Sequence, residues 1–165
     1  MEKTKKITLL SNFLAIAIVL NIIEASIPII PVPGAKLGFA NIMTLIIIYI
    51  YSFKEGIAIS ILRVVLVSLL SGRFLGPTFY MSMSGVLLST IMMGIFVKLD
   101  FFGPLGVSAI GSIFHCIGQI AAGIFVIGSV VVLAYLPIML FLSVPTGILT
   151  GIIAKKFLSI WRTVY

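Results

Sequence analysis

The chain has 165 residues, of which 61% are hydrophobic and 9% charged, and this leaves too little polar surface to cover a soluble globule. The net charge of +7 does not indicate nucleic-acid binding, because the basic residues lie at the two ends and in short breaks, not in a stripe among aromatic residues. Cys116 is the single cysteine, which excludes a disulfide within the chain and makes a cysteine-based metal site unexpected.

Six apolar segments separated by short breaks predict an all-α integral membrane protein, a bundle of about six transmembrane helices in one multi-pass domain. A crossing needs roughly 20 apolar residues, so the second and third segments are short. The sixth segment could begin anywhere from Val130 to Pro137. The predicted segments are residues 7–30, 39–52, 57–70, 79–97, 105–127 and 133–157.

The distribution of Lys and Arg predicts that both ends of the chain lie in the cytoplasm, because short loops rich in these residues are retained on that side. Of the 11 basic residues, only Lys36 and Arg73 fall on the outer side, and Arg63 lies within the third segment. The other eight fall on the inner side: Lys3, Lys5, Lys6, Lys54, Lys98, Lys155, Lys156 and Arg162.

One alternative topology satisfies the same charge distribution. The second and third segments could form a re-entrant hairpin that enters from outside, because removing two crossings leaves every other loop on its side. Lys54 and Glu55 would then be buried at depth, which costs several kcal/mol unless a water-filled cavity receives them. Two short complete crossings are therefore favoured, in a thinned bilayer or behind larger neighbouring helices.

Three ionisable residues fall inside predicted segments, where charge is costly and usually functional. Arg63 lies near the middle of the third segment, and its guanidinium group could hold a carboxylate or a phosphate with two hydrogen bonds. The alternative is a structural pair with Glu24 that only fixes helix packing. Glu24 could otherwise serve as counter-ion, proton acceptor or substrate ligand.

His115 is the third of these residues, and Gln119 lies one turn further along the same face of the fifth segment. Both could contact a substrate or hydrogen-bond to another helix. No second histidine completes a metal site, so none is expected.

Positive charge at the outer side predicts an outward-facing pocket for an anionic or zwitterionic small molecule. Lys36 and Arg73 would lie at its mouth, and Asn41 opens the second segment beside it. Binding of lipid headgroup phosphates by Lys36 and Arg73 is an equally good explanation for those two residues.

The sequence argues against autonomous catalysis. It has no phosphate-binding Gly-rich loop with lysine, so ATP hydrolysis by the P-loop route is excluded. Its only acidic residues are Glu2, Glu24, Glu55 and Asp100, which cannot form the carboxylate clusters that hold Mg²⁺ against a diphosphate. We therefore expect neither an enzyme nor a bound cofactor.

Several stretches in order resemble the small bacterial membrane family labelled heptaprenyl diphosphate synthase component I, also called the Gx transporter family. They are residues 36–45, 54–56, 62–64, 69–72, 115–119, 135–137 and 146–151. That family in turn resembles the substrate-binding S components of energy-coupling factor (ECF) transporters, which have six helices, short second and third segments, and an outer pocket closed by the loop after helix one.

The resemblance implies a bacterial plasma-membrane protein that binds a small solute and works with a transmembrane coupling protein and two ATPases. S components dock through small residues on helix one, for which Ser11 and Ala15 are the nearest match. Arg63, Glu24, Asn41, His115 and Gln119 would then bind the substrate. Two competing hypotheses are an accessory subunit that serves a soluble prenyl synthase by membrane attachment or product handling, and a lipid-interacting scaffold.

Overall fold

The computed structural model describes residues 3–26 and 39–164, and within these ranges the chain is all-helical. This confirms the predicted all-α membrane bundle. A short 3₁₀ helix, Val130–Tyr135, precedes the last of six α-helices. The six are α1 (Lys3–Ser26), α2 (Asn41–Ile50), α3 (Phe53–Leu70), α4 (Pro77–Leu99), α5 (Pro104–Ile127) and α6 (Leu136–Val164).

Each predicted segment contains a helix, but several helix ends differ from the sequence boundaries. Pro77 and Pro104 were placed in the breaks, yet both lie in the first turn of a helix, where the missing N–H of proline is not needed. The predicted turn from Phe53 to Gly56 belongs to α3. Ser52 caps that helix: its hydroxyl accepts a hydrogen bond from the backbone N–H of Lys54. Helix α6 begins within the predicted interval.

The short helix α2 lies at the centre of the bundle and contacts all five other α-helices. These surround it in the order α1, α3, α4, α5 and α6, each packed against the next. Between α6 and α1 the contact is made by side chains, with the ring of Phe13 6.0 Å from Phe157 and 6.1 Å from Trp161. Central placement explains why α2 is apolar on every side: its neighbours shield it, and its Ile and Leu side chains form the largest core cluster.

The bundle exposes apolar side chains and buries polar ones. Phe125 and Phe141 are 87% and 76% exposed, whereas Ser89, Thr90 and Gln119 are fully buried. This distribution is typical of a protein surrounded by lipid. Apolar side chains can face the acyl chains, whereas polar side chains find hydrogen-bond partners only inside the bundle. The chain is a membrane protein on this evidence.

Among the described residues, four stretches are long and apolar enough to cross a membrane: α1, α4, α5 and Val130–Thr163. Helix α2, with 10 residues, is about 15 Å long, half of a hydrocarbon core of about 30 Å. Helix α3 has 18 residues but carries Lys54, Glu55 and Arg63. Whether α2 and α3 cross completely therefore stays a prediction.

Helices α4 and α5 approach each other closely at a pair of glycines. A Cβ atom added to Gly118 would lie 2.7 Å from the carbonyl oxygen of Ser84 and 2.9 Å from the Cα of Gly85. A Cβ added to Gly85 would lie 2.9 Å from the carbonyl oxygen of His115. Only glycine allows the two backbones to come this near, and this contact fixes where α5 presents His115.

Candidate functional site: a buried arginine below an outer pocket

Arg63 is the largest fully buried side chain of the described residues, with 1% of its surface exposed. It belongs to the buried stripe of α3, which recurs at intervals of three and four residues. Its Nη2 donates a hydrogen bond to Oδ1 of Asn41 at 2.9 Å, and Nδ2 of Asn41 donates to Oγ of Ser89 at 3.3 Å. The Nε and Nη1 groups of Arg63 have no hydrogen-bond partner among the described residues. The guanidinium group therefore keeps donors for a further acceptor.

A small cavity beside this guanidinium group brings together residues from five helices. Glu24 comes from α1, Asn41 from α2, Ser82 from α4 and His115 from α5, with Arg63 itself from α3. The volume of the cavity that is open to the centre of a water molecule is only about 10 Å³, so the cavity holds about one water molecule. Four of the five predicted substrate-binding residues thus meet at one place, although they are far apart in the sequence.

Helix α1 contributes to the cavity through one regular stripe. Its buried residues are Phe13, Ala17, Asn21 and Glu24, spaced by about one helical turn. The stripe is apolar toward the amino terminus of α1 and polar toward its carboxyl terminus. Asn21 and Glu24 both line the cavity, as Arg63 does.

Gln119, the fifth predicted substrate-binding residue, lies next to the cavity but does not line it. It is fully buried one turn from His115, and both side chains pack against the α4 backbone at Gly85. The predicted shared face of His115 and Gln119 is present. Because α4 and α5 approach each other closely, Gln119 packs against α4. It therefore neighbours His115 and does not face the cavity beside Arg63.

A second, larger cavity lies beside the first, toward the end of the bundle that the charge distribution predicts to face outward. We call it the outer pocket; it holds about 180 Å³, a little more than the roughly 150 Å³ of a cavity that admits benzene. Ser82 lines both the outer pocket and the Arg63 cavity, so the two are neighbours. Arg73 is among the residues that line the outer pocket, and its role at the mouth stays a prediction. The residues that line it are Ile22, Ala25, Ser26, Val67, Ser68, Ser71, Arg73, Thr78 and Ser82.

Three predicted residues lie away from both cavities or outside the described part of the chain. Lys36, the other residue predicted at the mouth, lies outside the described residues. Ser11 and Ala15, predicted to dock a partner, are both exposed on α1, whereas the neighbouring Ala17 is buried.

Sequence reasoning missed Asn21 and the serine and threonine residues of the two cavities. Asn21 lies three residues before Glu24, so its spacing on the same helix face could have identified it. Ser82 and Ser89 are seven residues apart on α4, which also places them on one face. Single hydroxyl groups are common in membrane helices, and spacing alone does not separate these from the others.

Helix α5 places Cys116 beside His115 in a different environment. The thiol is fully buried and lies 3.8 Å from the carbonyl oxygen of Met139 in α6. Within residues 3–26 and 39–164, no three His, Cys, Asp or Glu side chains form a group that could hold a metal ion.

Comparison with known families assigns the chain to one family. A family model described as heptaprenyl diphosphate synthase component I matches residues 13–157. The chain belongs to this family. The match includes every residue that lines the Arg63 cavity, so the cavity is part of the component I region. No curated protein and no solved structure shows significant similarity to the chain. The predicted component I family is confirmed, whereas the resemblance to ECF S components stays a prediction.

Proposed function

We propose that this component I protein is the substrate-binding component of a small-molecule uptake system of the ECF type in the bacterial plasma membrane. The outer pocket receives a solute with an anionic group, and the guanidinium of Arg63 holds that group. Glu24, Asn41 and His115 orient it, Gln119 supports His115, and Lys36 and Arg73 attract the solute to the mouth. The coupling protein and ATPases provide the energy for reorientation.

The unsatisfied donors of Arg63 carry this proposal. Removing a charged group from water costs several kcal/mol, and each buried donor without an acceptor adds about 1–3 kcal/mol. A residue kept only for helix packing would be expected to have its N–H groups satisfied by neighbouring helices. A carboxylate or phosphate bound through two parallel hydrogen bonds would accept one of them from Nε or Nη1. Its negative charge would also balance the positive charge of the guanidinium group.

The size of the two cavities indicates the size of the solute. The outer pocket of about 180 Å³ suits a small molecule, whereas the Arg63 cavity admits little more than one water molecule. The anionic group must therefore widen the space around Ser82 to reach the guanidinium. Such a movement couples binding to a change of helix positions, which a transport component needs.

Native mass spectrometry of the detergent-purified protein tests the proposal. We expect a small molecule to co-purify with the wild-type chain and to be absent from Arg63→Ala. Arg162→Gln is the matched control, because it removes a positive charge at the cytoplasmic end of α6, away from both cavities. An Arg63→Ala protein that is folded and still carries the molecule would show that Arg63 does not hold it.

The family description favours a second candidate function, a non-catalytic membrane subunit that assists a soluble prenyl diphosphate synthase. In that role the chain would provide membrane attachment or product handling. Isolation of the tagged protein from its native membrane distinguishes the two candidates. Recovery of a coupling protein with ATPases supports uptake, and recovery of a prenyl synthase supports the accessory role.

A further inference from the structure

A groove at the opposite end of the bundle combines an apolar wall with two lysines. We call it the inner groove; it lies between α3 and α4, holds about 630 Å³, and is defined by Phe53, Lys54, Ile91, Gly94, Ile95 and Lys98. Lys54 lies in the first turn of α3 and Lys98 in the last turn of α4, so both lysines lie at the end that the charge distribution predicts to face the cytoplasm.

The base of the groove is shaped by an aromatic ring on a glycine. A Cβ atom at Gly94 would overlap Cδ2 of Phe53, so the ring rests directly on the α4 backbone. Ile91 and Ile95, one turn apart, are 40% and 45% exposed and continue the apolar wall toward the middle of α4. The wall therefore runs away from the lysines, into the membrane.

Neither lysine is neutralised by a described carboxylate. The ion pair between described residues joins Lys6 to Glu55, and the Glu55 carboxylate also accepts a hydrogen bond from Ser52. Asp100 follows Lys98 closely in the sequence but does not line the groove. The amino-terminal end of α3 adds a partial positive charge at this place and the carboxyl-terminal end of α4 a partial negative one, so the two helix ends offset each other. An anion there would be attracted by the two lysine side chains.

A second groove of similar size lacks the positive charge of the inner groove. It lies between α4 and α5, holds about 620 Å³, and is lined by uncharged residues that include Leu87 and Phe125. Such a surface suits acyl chains of any lipid. The inner groove has the same apolar character and adds positive charge at one end, which is the complement of an amphiphilic anion.

We propose that the inner groove is a binding site for an anionic phospholipid of the cytoplasmic leaflet. Its phosphate group lies between Lys54 and Lys98, and one acyl chain lies along Ile91 and Ile95. The site is independent of the outer pocket and of any transported solute.

Lipid titration monitored by native mass spectrometry tests this site, with phosphatidylglycerol and phosphatidylcholine of identical acyl chains as probes. We expect the wild-type protein to retain one phosphatidylglycerol more tightly than phosphatidylcholine. Lys54→Gln with Lys98→Gln should weaken phosphatidylglycerol binding about 30-fold, from the usual contribution of two basic residues near an anionic lipid. The matched control is Lys155→Gln with Lys156→Gln, which removes the same charge from the cytoplasmic half of α6.

A third variant separates groove binding from general attraction of charge. Ile95→Trp fills the groove without changing any charge and should also weaken retention, whereas added glycerol phosphate should not displace the lipid. Equal losses in the Lys155 and Lys156 control would overturn the proposal, and so would wild-type retention by the Ile95→Trp protein. Equal binding of the two lipids by the wild type would overturn it as well.

Discussion

The contact between α4 and α5 can be tested by adding one methyl group to either of two glycines of α5. In Gly118→Ala the new Cβ would lie 2.7 Å from the Ser84 carbonyl oxygen, a backbone atom that can move only if the helices separate. In Gly123→Ala the nearest atoms are 3.2 Å away and belong to the side chains of Met81 and Val132. Both substitutions gain about 1 kcal/mol of helix propensity, so the difference between them reports the packing.

The two substitutions are expected to change the stability of the protein in different ways. Overpacking against a rigid neighbour costs about 1–3 kcal/mol, from which the gain in propensity of about 1 kcal/mol is subtracted, so Gly118→Ala should be destabilised by up to about 2 kcal/mol. A loss of 1 kcal/mol lowers the melting temperature by about 2–4 °C for a chain of this size. Gly123→Ala should melt at or above the wild-type temperature, because the flexible side chain of Met81 can move aside.

Cys116 provides the assay for this comparison. It is the single cysteine, and it is fully buried, so a maleimide dye that fluoresces on reaction should label it only as the bundle opens. Melting in detergent is followed by this signal and by circular dichroism at the same time. The reasoning fails if Gly118→Ala melts at or above Gly123→Ala, because the backbones would then have room that the structure does not give them.

Two further predictions concern topology and the amino-terminal end of α3. In a Cys116→Ala background, a membrane-impermeant maleimide should label Ser71→Cys in intact cells, but Lys54→Cys and Lys98→Cys only after permeabilisation; protection of Lys54→Cys after permeabilisation would favour the re-entrant hairpin. Ser52→Ala should cost about 1 kcal/mol of stability because it removes the cap of α3. Lys6→Gln should cost less, because its ion pair with Glu55 is partly exposed; a larger effect of Lys6→Gln on the melting temperature would contradict this account.

The helices were predictable because the lipid environment makes the apolar pattern almost continuous. The positions of helix ends were harder, because they depend on local capping. Gly76 and Pro77 indicated a break, and only the backbone shows that the break ends at Gly76 and that the proline begins α4. The Ser52 and Glu55 pair is a recognisable capping pattern that would have placed the start of α3 correctly.

The central position of α2 could not be read from the sequence. A short apolar segment can be a thin crossing, half of a hairpin or a helix that others enclose, and its composition is the same in each case. The order of packing around α2 depends on the close contacts of glycine and on the aromatic side chains between α1 and α6. These contacts join residues that are distant in the sequence, so no local pattern reveals them.

The residues of the candidate site were predicted from the free-energy cost of placing charge in a membrane, not from a sequence motif. Charge in a membrane segment is expensive, and this cost selects Glu24, Arg63 and His115 without saying where each points. Side chains kept for separate packing roles would each be expected to meet a partner in a different part of the bundle. Instead all three line one cavity, and they come from α1, α3 and α5. The three predicted side chains thus meet beside a guanidinium group with two unsatisfied nitrogens, which is the feature on which the proposed binding of an anionic group rests.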